Sequence, residues 1–303
     1  MHVPIFPDFR DIQLTDKELI TSYFHAYPPI ISEYTFTNLF IWRNKYRFKI
    51  CLLKDCLCLL ANPIDGSPFF FPPIGKRESL KHCLHVLFSY LEESGYVEMM
   101  RRVPEELIIQ HVVDDPNFQY ELDRDNCDYV YLCSDLIGLK GRKYDGKRNF
   151  IRNFKERFPY KYAPLTKELA KECLDFEAKW CNIKHCELYP NLLAEEKAIF
   201  EALNNFEYLD AKGGAVLIND HIEAFTLGEK LNSDSAVIHV EKANPEYEGS
   251  YQFINQQFCE TEWSDCKYIN REQDLGEKGL RRAKLSYHPN HMVRKYTIRF
   301  RKR

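Results

Sequence analysis

With 303 residues, 45% of them hydrophobic and 29% charged, the chain can bury a full core and is long enough for two domains. No apolar run approaches the ~18 residues needed to span a bilayer, and residues 1–8 lack the charged-then-apolar order of a signal peptide, so a cytoplasmic protein is expected. The formal net charge of −3 hides two basic segments: residues 140–161 carry a net +7 and residues 277–303 a net +9, which leaves −19 on the remainder.

If the two segments are neighbours, they steer an anionic partner to one face; if not, they are separate solvated helix faces. The eleven cysteines are scattered through apolar segments without a Cys-x-x-Cys pair, the pattern of buried, reduced thiols.

In chain order, residues 16–27 predict a helix with Thr15 as N-cap and Pro28-Pro29 as its stop, and a second helix starts near Ser32-Glu33. Residues 48–53 and 56–61 predict a hairpin about Lys54-Asp55. Residues 62–68 are a loop, Phe69-Phe70-Phe71 a short buried strand, and residues 78–93 an amphipathic helix with Leu80, Leu84, Leu87, Phe88 and Leu91 inward. Strands at 96–100 and 128–133, with a small helix near 105–110, close this half.

The order of elements then begins again, with a boundary at 138/139. Residues 141–158 predict a helix with Phe150, Ile151, Phe154 and Phe158 on one stripe, read as core packing, and with Arg148, Arg152 and Lys155 on another face. Thr166 caps a helix to about Cys181, and another runs from about 191 to 204. Strands follow at 206–211, 215–218, 222–229 and 236–240, then a helix from Tyr251 to Phe258, a strand at 266–269 and a short basic helix at 278–284.

Helices, an antiparallel meander, then strand–helix–strand is the succession of an acetyltransferase-like fold. The prediction is therefore an α/β (α+β) chain of two tandem acetyltransferase-like domains, residues 1–138 and 139–303, each a mixed, mostly antiparallel sheet flanked by helices, with the active site in the second.

Acyl transfer needs donors for the carbonyl oxygen, a base for the incoming amine or hydroxyl, and a grip on the donor's anionic carrier. Gly249 and Ser250 stand where a helix N-terminus faces a phosphate or carboxylate. The acyl-CoA signature, Gln/Arg-x-x-Gly-x-Gly/Ala, is missing there, and Glu246 and Glu248 repel a pyrophosphate. His239, beside Glu241, reads more as a satisfied core histidine than as a general base. Glu272 and Asp274 are placed to bind an ammonium or act as base, or else belong to a solvated turn. His288 and His291 lack the spacing of a metal site, so no metal is expected.

The stretches Asn270-Arg271-Glu272-Gln273-Asp274-Leu275-Gly276, the run from Gly279 to Pro289, Glu241-Lys242-Ala243-Asn244 with Gly249 to Asn255, and Lys147-Arg148-Asn149 with Phe154 resemble a bacterial family of unknown function. That family is similar to the C-terminal catalytic domain of phosphatidylglycerol lysyltransferases. The resemblance implies an aminoacyltransferase whose donor is aminoacyl-tRNA and whose acceptor is a lipid head group, a peptide or a small amine.

By the same resemblance Lys147, Arg148 and Asn149 face the anionic donor, and Glu241, Glu272 and Asp274 hold or deprotonate an amine. Asn255 and Asn270 orient the carbonyl; Arg281, Arg282 and Lys284 touch phosphates. The alternatives are an acyl-CoA-dependent N-acyltransferase and a non-catalytic RNA-binding module.

Overall fold

The computed structural model describes residues 2–64, 66–97 and 99–301. Asp65 of the expected loop, Glu98 of the expected strand 96–100 and the last two cations, Lys302 and Arg303, lie outside the described residues.

Local chemistry sets most element ends. The Thr35 and Thr166 side chains accept from Asn38 N and Leu169 N and so start α2 (Phe36–Ile41) and α8 (Lys167–Lys184). Pro190 opens α9 (Pro190–Asn204), where a missing N–H costs nothing. The other helices are α1 (Lys17–Ala26), α3 (Arg43–Tyr46), α4 (Arg77–Glu93), α5 (Glu105–Leu107), α6 (Cys133–Gly138), α7 (Asp145–Arg157), α10 (Ser250–Glu262) and α11 (Lys278–Leu285).

The strands are β1 (Arg10–Asp11), β2 (Lys49–Leu53), β3 (Cys56–Ala61), β4 (Phe69–Phe70), β5 (Met99–Pro104), β6 (Phe118–Leu122), β7 (Asp128–Leu132), β8 (Tyr160–Pro164), β9 (Lys212–Ile218), β10 (His221–Lys230), β11 (Ser235–Ala243), β12 (Tyr268–Asn270), β13 (His291–Val293) and β14 (Lys295–Phe300). The strand expected at 206–211 is instead a 3-10 turn, Phe206–Tyr208, after which β9 begins at Lys212.

These elements build two seven-stranded sheets, in the orders β1-β2-β3-β4-β5-β14-β6 and β8-β9-β10-β11-β12-β7-β13. Each is an antiparallel meander up to its fourth strand, which then pairs in parallel with the fifth: β4 with β5 and β11 with β12. This is the tandem acetyltransferase-like fold, mixed and mostly antiparallel.

The chain does not divide at a single cut after residue 138. One compact unit comprises Met1–Asp128, Gln273–Lys278 and Met292–Arg303; the other comprises Tyr129–Glu272 and Gly279–His291. The reason is strand exchange. β14, at the end of the sequence, pairs with both β5 and β6 in the first sheet, whereas β7 pairs with β12 in the second.

In the first unit α4 lays Leu84, Leu87, Phe88 and Leu91 on the sheet against Phe70, Met100, Val103, Phe118 and Ile298. Beside this core lies a buried ionic cluster. The Lys295 ammonium is fully buried and meets Glu33 at 2.5 Å and Asp128 at 2.6 Å; Arg102 meets Glu33 and Asp123, both at 3.1 Å. Burial of the carboxyl raises the pKa of Glu33, while burial opposes and the two carboxylates favour the charged form of Lys295, whose pKa is raised.

In the second unit α10 crosses α7, and this crossing explains one glycine. Gly249 has φ +95°, and a Cβ there would lie 2.4 Å from the Phe150 carbonyl oxygen. The cysteine expectation needs one correction. Nine cysteines are buried thiols, but Cys181 and Cys186 are bridged, because left-handed His185 ends α8 and turns the chain back until their Cα atoms are 5.1 Å apart.

Candidate active site

β11 begins as an ordinary parallel partner of β12, with Ser235, Ala236 and Val237 opposite Tyr268, Ile269 and Asn270. Pairing stops there, while β11 continues along β10 to Ala243. The β10–β11 register also steps, from Leu227/Val240 to Gly228/Ile238, so His239 is the extra residue of a bulge. A bulge bends its strand and re-aims side chains. The two parallel strands therefore part just where the side chains become polar.

Glu241 occupies the gap. One carboxylate oxygen accepts from Arg271 Nη2 at 2.8 Å and the other from Asn255 Nδ2 at 2.8 Å, with Glu241 14% and Arg271 13% exposed. Arg271 follows directly on β12, and its guanidinium faces the rings of Tyr287 (4.8 Å to the centroid) and Tyr131 (5.7 Å). Burial works against its charge, but Glu241 outweighs that and the pKa is raised. The remaining Arg271 Nη1 and Asn255 Oδ1 are buried and have no hydrogen-bond partner among the described residues. A donor and an acceptor are thus left beside one carboxylate, where burial makes an unmet polar group costly.

Lys147, from α7, reaches the same ring. Its ammonium donates to Ser286 Oγ at 2.7 Å and lies 4.1 Å from the Tyr287 centroid. Burial, then Arg271, lowers its pKa. Lys284, from α11, donates to the carbonyls of Arg271 and Glu272, and the Tyr131 hydroxyl donates to the Lys284 carbonyl at 2.8 Å.

The turn after β12 is held from several sides. Glu272 is left-handed (φ +56°), and its N–H donates to Asn270 Oδ1 at 2.8 Å. Its carboxylate meets His239 Nδ1 at 2.8 Å, while Nε2 meets Glu229 at 2.8 Å; the imidazole is 2% exposed. Burial alone would lower the His239 pKa, but the two carboxylates push it up to about 9, so the ring is an imidazolium at neutral pH.

On the opposite face of β11, Lys242 lies 3.7 Å from the Trp180 ring centroid, 2.9 Å from Glu195 and 4.0 Å from Glu177. Both Glu177 oxygens are buried without a hydrogen bond among the described residues, and burial pushes this carboxyl up to about 7.

Of the residues singled out from the sequence, Glu241, Asn255, Lys147 and Lys284 come together. Asn255 serves Glu241, and Asn270 serves the backbone of the turn. Glu272 and Asp274 do not form a pair: Glu272 turns to His239, whereas Asp274 lies in the first unit, 3.3 Å from Arg124 and accepting from Gly276 N. Arg148 braces its own helix start through the Leu139 and Gly141 carbonyls and Asp145, and Asn149 is exposed.

Gly249 and Ser250 are buried where α10 packs under α7, which corrects their reading as a ligand-facing N-terminus. Arg281 is half-buried and Arg282 exposed on α11. The basic segments meet only in part: Lys147 and Lys284 converge about Arg271 and Tyr287, while Arg294, Lys295, Arg299 and Arg301 belong to the first unit. Sequence reasoning missed Arg271, Tyr131, Tyr287 and Ser286. Arg271, Ser286 and Tyr287 lie in the stretches that carry the resemblance, but residue type and spacing gave them no role. Among the described residues no cluster of three or more His, Cys, Asp or Glu is arranged for a metal, and no helix is long and apolar enough to cross a membrane.

The second unit thus places a polar cluster where two parallel strands of an acetyltransferase-like fold stop pairing. The chain belongs to the family described as phosphatidylglycerol lysyltransferase, C-terminal, whose model matches residues 24–299. The crystal structure of a conserved protein of unknown function from Bacteroides thetaiotaomicron VPI-5482 is similar, with 34% identity, TM-score 0.90 and coverage of 97% of this chain and 99% of that one. The L-PGS structure from Bacillus licheniformis shares the fold at 12% identity, with TM-score 0.66 over 100% of this chain and 95% of that one. An uncharacterised protein of Mycoplasmoides gallisepticum is 25% identical over 177 residues, 56% of this chain and 55% of the relative, so the match spans about half of that curated protein.

Proposed function

We propose that the second unit transfers an aminoacyl group from the ester of an aminoacyl-tRNA to a hydroxyl on a phosphatidylglycerol-type head group. The observation that carries this reading is the Glu241 carboxylate in the strand gap, with buried Arg271 Nη1 and Asn255 Oδ1 still lacking partners. The family description, which names phosphatidylglycerol, supports the acceptor class.

In this reading the acceptor oxygen attacks the ester carbonyl carbon and Glu241 takes its proton. Arg271 Nη1 donates to the carbonyl oxygen as that atom gains charge, and Asn255 Oδ1 accepts from the α-ammonium. The tetrahedral intermediate then collapses. The bond to the ribose oxygen breaks, the new ester remains, and the proton passes from Glu241 to the departing ribose. Lys147, whose ammonium is held by a hydroxyl and a ring face, holds a phosphate of the donor.

Coenzyme A is disfavoured as donor because α7 backbone fills the space at Gly249, and exposed Glu246 and Glu248 flank it. The test is transfer of labelled amino acid from charged tRNA into lipid, peptide and small-molecule fractions, beside thermal-shift titrations. Label is expected in lipid, and stabilisation by charged tRNA. Label that never leaves tRNA, or stabilisation by acetyl-CoA instead, overturns the reading.

A further inference from the structure

The turn joining α8 to α9 is an exposed apolar tip. From residue 182 to 191 only Cys186 is buried, and within seven residues Ile183, Leu188 and Tyr189 are 55%, 68% and 55% exposed. Single exposed apolar side chains are ordinary; three within one short turn mark a contact surface.

The tip is also braced. The Cys181–Cys186 bridge closes it, and one residue before the bridge Trp180 donates from Nε1 to the Ala243 carbonyl at 3.2 Å and packs on the Lys242 ammonium. Ala243 ends β11, two residues beyond Glu241, so the tip is fixed to the strand that carries the site.

We infer that this tip inserts into the surface of a phospholipid bilayer and brings the second unit to its acceptor; the inference rests on the lipid-acceptor reading above. A second copy of the chain is a poor occupant, because three side chains fall well short of the ~800 Å² per partner of a stable protein interface. A bilayer needs no such area. It takes Ile and Leu into its acyl region and Tyr at the head-group level, with Lys184 and the exposed His185–Glu187 pair, 3.4 Å apart, at the polar rim.

The test is flotation of the full chain with vesicles of phosphatidylcholine alone or mixed equally with phosphatidylglycerol. The wild type is expected to float with the mixed vesicles, and Ile183→Ser/Leu188→Ser/Tyr189→Ser to bind at least tenfold less with an unchanged melting temperature. Leu188→Trp is expected to blue-shift its emission on vesicle addition. Equal flotation of wild type and triple variant, no flotation of the wild type, or a dimer in sedimentation that the triple variant abolishes would each overturn the inference.

Transfer assays separate its failure from that of the proposed function. Tip variants should lose transfer to vesicle lipid but keep transfer to a water-soluble glycerophosphoglycerol. If the wild type labels the soluble acceptor yet never floats, only the tip inference falls. If it floats yet labels nothing, only the transfer reading falls.

Discussion

His239 holds its proton through geometry. Its pKa is about 9 in the folded protein against ~6.5 for a free imidazole, so the charged form stabilises the fold. That contribution is complete below pH ~6.5, shrinks as the pH rises through about 9, and is gone above it; the shift corresponds to about 3 kcal/mol. Urea unfolding should therefore show wild type and His239→Gln differing by about 3 kcal/mol more at pH 6 than at pH 10; a gap that does not change with pH contradicts the ion-bridged ring. Glu177 shifts in the same direction, but there the fold favours the neutral form. Burial raises its folded pKa to about 7, so the folded state binds the proton more tightly, and stability falls as pH rises from ~4.5 to about 7 and then levels. Glu177→Gln should match the wild type in stability at pH 4.5 and exceed it at pH 8, by up to about 3 kcal/mol.

At the level of elements, the α7–α10 crossing leaves no room for a side chain at position 249. Gly249→Ala combines a left-handed backbone with a Cβ 2.4 Å from the Phe150 carbonyl, and should cost at least about 2 kcal/mol, read as a lowered melting temperature. An unchanged melting temperature would show that the crossing yields. Local signals made most elements legible. Thr166 does cap α8, Lys54-Asp55 does turn the β2–β3 hairpin, and α4 shows its inward leucines at helical spacing. β1, β6, β13 and β14 were not legible, because short strands gain their identity from partners distant in sequence. Glu241 and Lys147 could be named from residue type and resemblance. The role of Arg271 could not, since it depends on two strands parting and on Tyr131 and Tyr287 meeting one guanidinium. Likewise Glu272 and Asp274 looked paired two residues apart, but a left-handed residue sends them to different units.

For the molecule as a whole, exchange of β7 and β14 means that neither half of the sequence contains its own complete sheet. A chain ending at residue 294 would take the strand between β5 and β6 away and leave Glu33 and Asp128 buried without Lys295. Losing one partner of such a buried pair costs about 3–5 kcal/mol even before the strand is counted. Circular dichroism and proteolysis should find this truncation, and fragments cut at 138/139, without a cooperatively folded first unit; a cooperative melt of either fragment contradicts the exchange. The transfer reading, in turn, stands on one carboxylate and one guanidinium. Its most direct measurement is the single-turnover rate of label transfer from charged tRNA to lipid for Glu241→Gln and Arg271→Lys, each first shown by thermal unfolding to be folded. The expected result is a fall of about 100-fold or more in both, as for loss of a proton acceptor or an oxyanion donor. Wild-type rates in either variant would contradict the site.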